Sequence, residues 1–201
     1  MKRIVALMLA VVCGVLLVTA CAVQAADNTD WKKLYIDYIN DNPGDDPEMS
    51  SYYLIHINDD NIPELLIDYG FSYEGSDLCT ISDGKWDVLH YSNGELSYIE
   101  RQNLFHIDSG RMDIYHNNVY CIQNGKFVRL HTGNYGAEDN ANVQCDADGN
   151  PIYRYYWEGK EVSEKEYEQA LSSVFDKSKA VSVYENRYSA NEIIPIIEGF
   201  K

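Results

Sequence analysis

Five dipeptides pairing glycine with a turn-forming residue punctuate the middle of the chain: Asp83-Gly84, Asn93-Gly94, Ser109-Gly110, Asn124-Gly125 and Asp148-Gly149. Tight two-residue hairpins need positive φ at their central positions, which Gly, Asn and Asp adopt at least cost. The stretches between them are short and rich in β-branched and aromatic residues. That spacing predicts consecutive strands joined as an antiparallel meander. Two stretches, Cys79-Thr80-Ile81-Ser82-Asp83-Gly84-Lys85-Trp86 and Tyr120-Cys121-Ile122-Gln123-Asn124-Gly125-Lys126-Phe127, share one pattern: a strand, a Gly-Lys turn, and an aromatic opening the return strand. The likeness is too short for a propeller-type repeat, and reuse of favourable turn chemistry accounts for it.

Helical patterns flank the meander. Trp31, Leu34, Tyr35, Tyr38 and Ile39 fall on one face of a helix that Asp30 caps, and Asn40 to Pro47 ends it. Tyr52 to Ile57 and Glu64 to Tyr69 read as two strands separated by a polar loop, and Ile152 to Trp157 closes the meander before the turn Glu158-Gly159-Lys160. Ser163 with Glu166, and Ser189 with Glu192, are capping boxes. They predict a helix from Glu164 to about Phe175, burying Tyr167, Leu171 and Val174, and a last helix that Pro195 shortens or kinks. The fold class expected is α+β: an amino-terminal helix, an antiparallel β-meander of hairpins, and two carboxy-terminal helices.

The amino terminus carries export chemistry. Lys2 and Arg3 precede an apolar run from Ile4 to Val18, the pattern of a secretory signal. Val18-Thr19-Ala20-Cys21 resembles a bacterial lipobox, whose cysteine is lipidated and becomes the new amino terminus, whereas Val23-Gln24-Ala25 has the form of an ordinary cleavage site. The expected organisation is a signal peptide over 1–20, lipidation at Cys21, a short tether over 21–29 and one α+β domain over 30–201. Free secretion and an uncleaved anchor are the alternatives. Without residues 1–20 the 16 basic groups fall to 14 against 32 acids, a formal charge of 14 − 32 = −18. Such a charge excludes nucleic acid as a partner and leaves the membrane approachable only through a lipid on Cys21. Cys79, Cys121 and Cys145 are an odd set without a Cys-x-x-Cys spacing, expected to be reduced and buried in strands, with one disulfide and a leftover thiol as the alternative.

The loop His56-Ile57-Asn58-Asp59-Asp60-Asn61-Ile62-Pro63-Glu64-Leu65 resembles the calcium-binding loops of FG-GAP and VCBS surface repeats. The resemblance implies side-chain oxygens from Asn58, Asp60 and Glu64 and a carbonyl from Ile62 around a calcium ion. His56 stands where the first aspartate of those loops belongs, and Asn61 where the glycine belongs, so the calcium would be weakly held; a plain polar turn is the competing reading. The same segment, with the Trp-x-x-x-Tyr helix, the Asp-Gly-Lys hairpins and Trp157-Glu158-Gly159-Lys160-Glu161-Val162-Ser163 ahead of a helix, is similar to a group of exported proteins of Gram-positive bacteria. That resemblance implies export and no particular activity.

No nucleophile elbow, zinc-protease helix, phosphate loop or dinucleotide fingerprint occurs. The five histidines, His56, His90, His106, His116 and His131, show no metal-binding helical spacing and read as satisfied or surface residues. Asp146, Asp148 and Asn150 read as hairpin punctuation, with a metal turn as the lesser alternative. Tyrosine is unusually frequent, 17 of the aromatic residues against 3 Trp and 5 Phe. Its densest run puts Tyr153, Tyr155 and Trp157 on one strand face, a candidate ligand surface, with core filling as the competing role. The function read from the sequence is a non-catalytic exported or surface-anchored module binding a protein or glycan. A secreted hydrolase using an acidic pair and a structural envelope lipoprotein are the alternatives.

Overall fold

The structure, a computed structural model, describes residues 30–200; the expected signal peptide over 1–20, the expected lipidation at Cys21 and the expected tether over 21–29 lie outside the described residues. Helix α1 (Trp31–Asp41) starts at Asp30, whose carboxylate accepts the Lys33 amide at 3.1 Å. Four strands follow, β1 (Ser51–Ile55), β2 (Glu64–Asp68), β3 (Ser76–Ser82) and β4 (Lys85–Tyr91), pairing in sequence order as an antiparallel sheet. A second antiparallel sheet contains β5 (Gly94–Ile99), β6 (Leu104–Arg111), β7 (Ile114–Gln123), β8 (Lys126–Gly136), β9 (Arg154–Trp157) and β10 (Lys160–Val162). Helix α2 (Glu164–Val174) comes next, then β11 (Val181–Ser182), which joins the free edge of β5, and finally α3 (Ala190–Gly199). The architecture is α+β, as the turn and cap signals predict.

Alternation along the strands sorts side chains into three cores. From β1, β2 and β3, Tyr52, Leu65, Ile67, Cys79 and Ile81 meet Tyr35, Tyr38 and Ile39 of α1 and Ile193 and Ile197 of α3. The opposite faces send Tyr53, Ile55, Leu66 and Leu78 against Leu96, Phe105, Ile107 and Ile122 of the second sheet. Strands β1 to β3 are therefore buried on both faces, while the edge strand β4 stays largely exposed, which explains why β2 reads Glu-Leu-Leu-Ile-Asp without alternation. On the far side of the second sheet, Leu171 of α2 and Phe175 just beyond it cover Ile99 and Val119. Both capping boxes form, at Ser163 with Glu166 and at Ser189 with Glu192.

Three of the glycine turns behave as hairpins of the mirror-image type: Asp83-Gly84, Asn124-Gly125 and Glu158-Gly159 each hold positive φ at both residues. The meander departs from expectation elsewhere. Asn93-Gly94 carries the chain from one sheet to the other instead of closing a hairpin, because β4 and β5 belong to different sheets. Ser109-Gly110 lies inside β6, and the turn falls at Met112-Asp113, with φ of 52° and 61°. Glycine at 110 serves close packing there, since a Cβ would meet the Ile114 carbonyl oxygen at 2.3 Å and the Tyr115 ring at 2.8 Å. The cysteines also depart from expectation: Cys79 is buried, Cys121 half-buried and Cys145 exposed on a loop, and all three are free thiols.

Candidate functional site

Strand register on the second sheet builds its outer face row by row. One row runs Gly110, Tyr115, Tyr135, Tyr155 across β6 to β9; the next runs Glu95, Asp108, Asn117, Gly133, Trp157; a third runs Ser182, Ser97, His106, Val119, His131. Directly opposed residues of an antiparallel pair point to the same face. Helix α2 covers only one end of this surface. It docks where Gly133 leaves room, a Cβ there falling 2.7 Å from both the Trp157 and Tyr167 side chains. Phe175, just past the helix, covers His106 and Val119, and the tyrosine row with Glu95 and Asp108 stays accessible.

The tyrosine row stands on the sheet like slats. Tyr115 and Tyr135 stack at 4.8 Å between centroids, and Tyr135 and Tyr155 at 5.2 Å. Tyr153 leans against both Tyr115 and Tyr135. Stacking on both sides occupies the faces of Tyr135, so the row offers ring edges and hydroxyls outward. The Tyr153 hydroxyl donates to Asp113 at 2.6 Å and the Tyr155 hydroxyl to Glu164 at 2.9 Å. The carboxylate partner holds the Tyr153 hydroxyl well above the ordinary phenol range, and burial does the same for Tyr155. Both remain donors at any physiological pH.

Three cavities open along this face and share Asp108. The first, about 640 Å³, lies over the bare backbone of Gly94 and Gly110 between Tyr115 and Tyr184. The second, about 320 Å³, is walled by Glu95, Ser97, His106, Lys177 and Ser182. The third, about 380 Å³, runs under α2 past Asn117, Tyr135, Tyr155, Tyr167 and Glu168. Shared walls make them one trough: Tyr135 borders the first and third, Lys177 the second and third, Glu95 and Tyr184 the first and second.

Beneath the trough a polar chain fixes one imidazole. His106 is 1% exposed, and its Nε2 lies 2.8 Å from the Asn117 Oδ1, while the Asn117 amide donates to the Tyr167 hydroxyl at 3.0 Å. The Asn117 amide nitrogen is used on Tyr167, so its oxygen must accept from a protonated Nε2. Burial lowers the His106 pKa from its usual value, with the nearby Lys177 acting in the same direction. The ring is therefore neutral near pH 7, with Nδ1 carrying the lone pair. Burial also pushes the Tyr167 hydroxyl up to about 12.

The structure brings Tyr153 and Tyr155 of the expected surface to this trough. Trp157 stands beside it, edge-on to Tyr167 at 5.7 Å and stacked with His131, at the margin of the core under α2. Glu95, Asp108, His106, Tyr115, Tyr135 and Tyr184 were not singled out by sequence reasoning. The period-two alternation Tyr115, Asn117, Val119 carried part of the signal, but only the register shows which strands it faces.

The His56 to Glu64 loop sits on the other sheet. The Asn58 Oδ1 accepts the Asp60 amide at 2.9 Å and the Asp60 Oδ1 accepts the Ile62 amide at 2.8 Å, a pair of side-chain turns that shape the loop. Glu64 is 1% exposed and accepts from the Ile57 amide at 2.9 Å and from Asn58 and Thr80 at 3.3 Å. Burial raises its pKa to about 8 despite these donors. At neutral pH the carboxyl is thus mostly protonated, a poor starting state for a calcium ligand. Asp146 turns inward in the same manner, accepting the amides of Asp148 and Asn150. Among the described residues no group of three or more His, Cys, Asp or Glu is placed to hold a metal ion, and no helix is long and apolar enough to cross a membrane. Comparison with protein-family models, curated proteins and solved structures gives no match for this chain.

Proposed function

We propose that the protein is an exported, non-catalytic binding module, anchored at the cell surface through Cys21, that takes an extended glycan in the tyrosine trough. The observation that carries this reading is the uncovered outer face of the second sheet, where three connecting cavities meet at Asp108. A protein hot spot is a water-excluded pocket for an apolar anchor. This trough is open and edged instead by phenol, serine and carboxylate oxygens, which suits a ligand covered in hydroxyls. Tyr184, 51% exposed at one wall, offers a ring for stacking that the Tyr115–Tyr155 row does not. The net negative charge turns polyanionic glycans away.

Titration of the mature protein against a panel of neutral and amino-substituted oligosaccharides, followed by amide chemical shifts, tests the reading. Shifts confined to β5 through β9, reduced in Tyr135→Ala and Tyr184→Ala, support it; no shift with any glycan refutes it. Glu95 and Asp108 are opposed across β5 and β6 and also fit the acid pair of a hydrolase. Shortened oligosaccharides in the same samples, absent with Asp108→Asn, would replace the binding reading by that one. Mass measurement of the native amino terminus tests the anchor: a lipid on Cys21 supports it, and a free terminus after Ala25 refutes it.

A further inference from the structure

The two sheets have four outer strands, and three of them are blunted. β11 is two residues long and β10 three, with Lys160 and Glu161 exposed on it. β1 is closed by the segment before α3, where Tyr52 and Tyr188 exchange backbone hydrogen bonds at 2.9 Å each. β4 has none of these protections. It pairs with β3 without a break from Ser82↔Lys85 to Ser76↔Tyr91, holds no proline or bulge, and among the described residues has no strand on its far side.

The hairpin at Asp83-Gly84 fixes which backbone groups of β4 face outward. A two-residue mirror-image turn closes on a hydrogen-bonded pair, here Ser82 with Lys85, and such pairs recur at every second residue. Lys85, Asp87, Leu89 and Tyr91 therefore bond to β3, and Trp86, Val88 and His90 turn their N–H and C=O groups to the open edge. The side chains of these three oppose Ile81, Cys79 and Asp77, so they lie on the α1 side of the sheet, and all three are exposed. Two of them are already held in place: Trp86 stands edge-on to Tyr38 at 4.4 Å, and the His90 Nδ1 lies 2.7 Å from the Asp77 Oδ1. β8 meets β4 from the opposite face, through the Phe127 amide and Lys126 on Asp87.

We infer that β4 pairs antiparallel with β4 of a second copy of this chain, about a two-fold axis at Val88. That register opposes Val88 to its own counterpart and Trp86 to His90 of the second copy. It spans the whole strand and pairs every backbone group that Trp86, Val88 and His90 leave open. Charge and preorganisation both select a second copy as the occupant. The chain carries a formal charge of −16, yet β4 itself, with Lys85 against Asp87, carries no formal net charge, so two copies meet here without close repulsion. The edge of a second copy is also already extended with its side chains fixed, whereas a free peptide gives up backbone and side-chain freedom to pair. The contact is isologous, so association stops at a dimer. It uses no residue of the tyrosine trough and stands apart from the glycan reading.

Sedimentation of the mature protein over a concentration series, at low and high salt, tests the pairing. The expected result is a monomer–dimer equilibrium that salt strengthens, because screening weakens the repulsion between two acidic chains and leaves the backbone bonds intact. Val88→Pro removes an amide that faces solvent in the monomer, which an edge strand tolerates, and raises the dissociation constant at least about tenfold. Val88→Lys sets two ammonium groups against each other at the axis and weakens the dimer with the backbone donor retained. An unchanged near-ultraviolet circular dichroism spectrum identifies the variants that remain folded, and either one suffices. Val88→Cys in a Cys145→Ser background gives a disulfide-linked dimer, since Cα atoms at a hydrogen-bonded pair lie about 5.5 Å apart, and Trp86→Cys gives none. A monomer at every concentration overturns the inference. So does a dimer that salt weakens, or one that folded Val88→Pro or Val88→Lys leaves intact. Cross-linking through Trp86→Cys and not through Val88→Cys overturns the axis at Val88.

Discussion

Replacing Glu64 by Gln changes how stability depends on pH. The carboxyl is 1% exposed in β2, and its pKa rises from the usual 4.5 to about 8 because burial disfavours the ion. Below pH 4.5 the folded and unfolded chains both hold the proton. Between 4.5 and 8 the unfolded chain releases it while the folded chain keeps it, so stability falls as pH rises through that window and levels off above it. At 1.36 kcal/mol per factor of ten, the separation between 4.5 and about 8 amounts to about 5 kcal/mol. That is a large share of the roughly 5–15 kcal/mol that holds an ordinary domain together. Gln keeps an oxygen for the Ile57 amide and has no proton to lose. Urea unfolding of both proteins from pH 4.5 to 8.5, followed by near-ultraviolet circular dichroism, reads the difference. The two free energies start close together at acid pH and diverge, with Glu64→Gln the more stable by several kcal/mol at pH 8.5. His56 and His106, whose pKa values burial lowers, contribute slopes of the opposite sign, but these are common to both proteins and drop out of the comparison. Parallel curves across the range would refute the reasoning.

The same carboxyl governs calcium. If Glu64 is a ligand it must ionise first, so the rise in melting temperature with millimolar calcium is larger at pH 9 than at pH 6; an equal shift at both excludes Glu64 from the site. Asp77, 7% exposed, accepts the Tyr38 and Tyr69 hydroxyls at 2.6 and 2.8 Å beneath α1. Asp77→Ala strands both hydroxyls and costs about 2–4 kcal/mol in urea unfolding, whereas Asp77→Asn retains an acceptor and costs less. Gly133→Ala drives a methyl into Trp157 and Tyr167, so α2 lifts, the Asn117 hydrogen bond to Tyr167 breaks, and stability drops by about 1–3 kcal/mol with a changed near-ultraviolet signal. An unchanged signal there would show that α2 accommodates the methyl in place.

Local chemistry alone determined the elements. The capping boxes at Ser163 and Ser189, the Asp30 cap and the hairpins at Asp83-Gly84, Asn124-Gly125 and Glu158-Gly159 are decided within a few residues, because each satisfies a nearby amide or supplies a positive φ. The turn at Met112-Asp113 is hidden in the sequence because Met112 carries no positive-φ signal and the stronger signal beside it, Ser109-Gly110, serves packing instead. Two sheets instead of one, and the transfer between them at Asn93-Gly94, depend on which faces find partners, a property of the whole chain. The trough is of the same kind. Tyr153 and Tyr155 were legible as a dense aromatic run, but Asp108, His106 and Glu95 are ordinary strand residues until register sets them side by side. Only the placement of α2 and the segment that follows it decides that Glu95 and Asp108 line an open trough while His106, on the same face, is buried against Phe175.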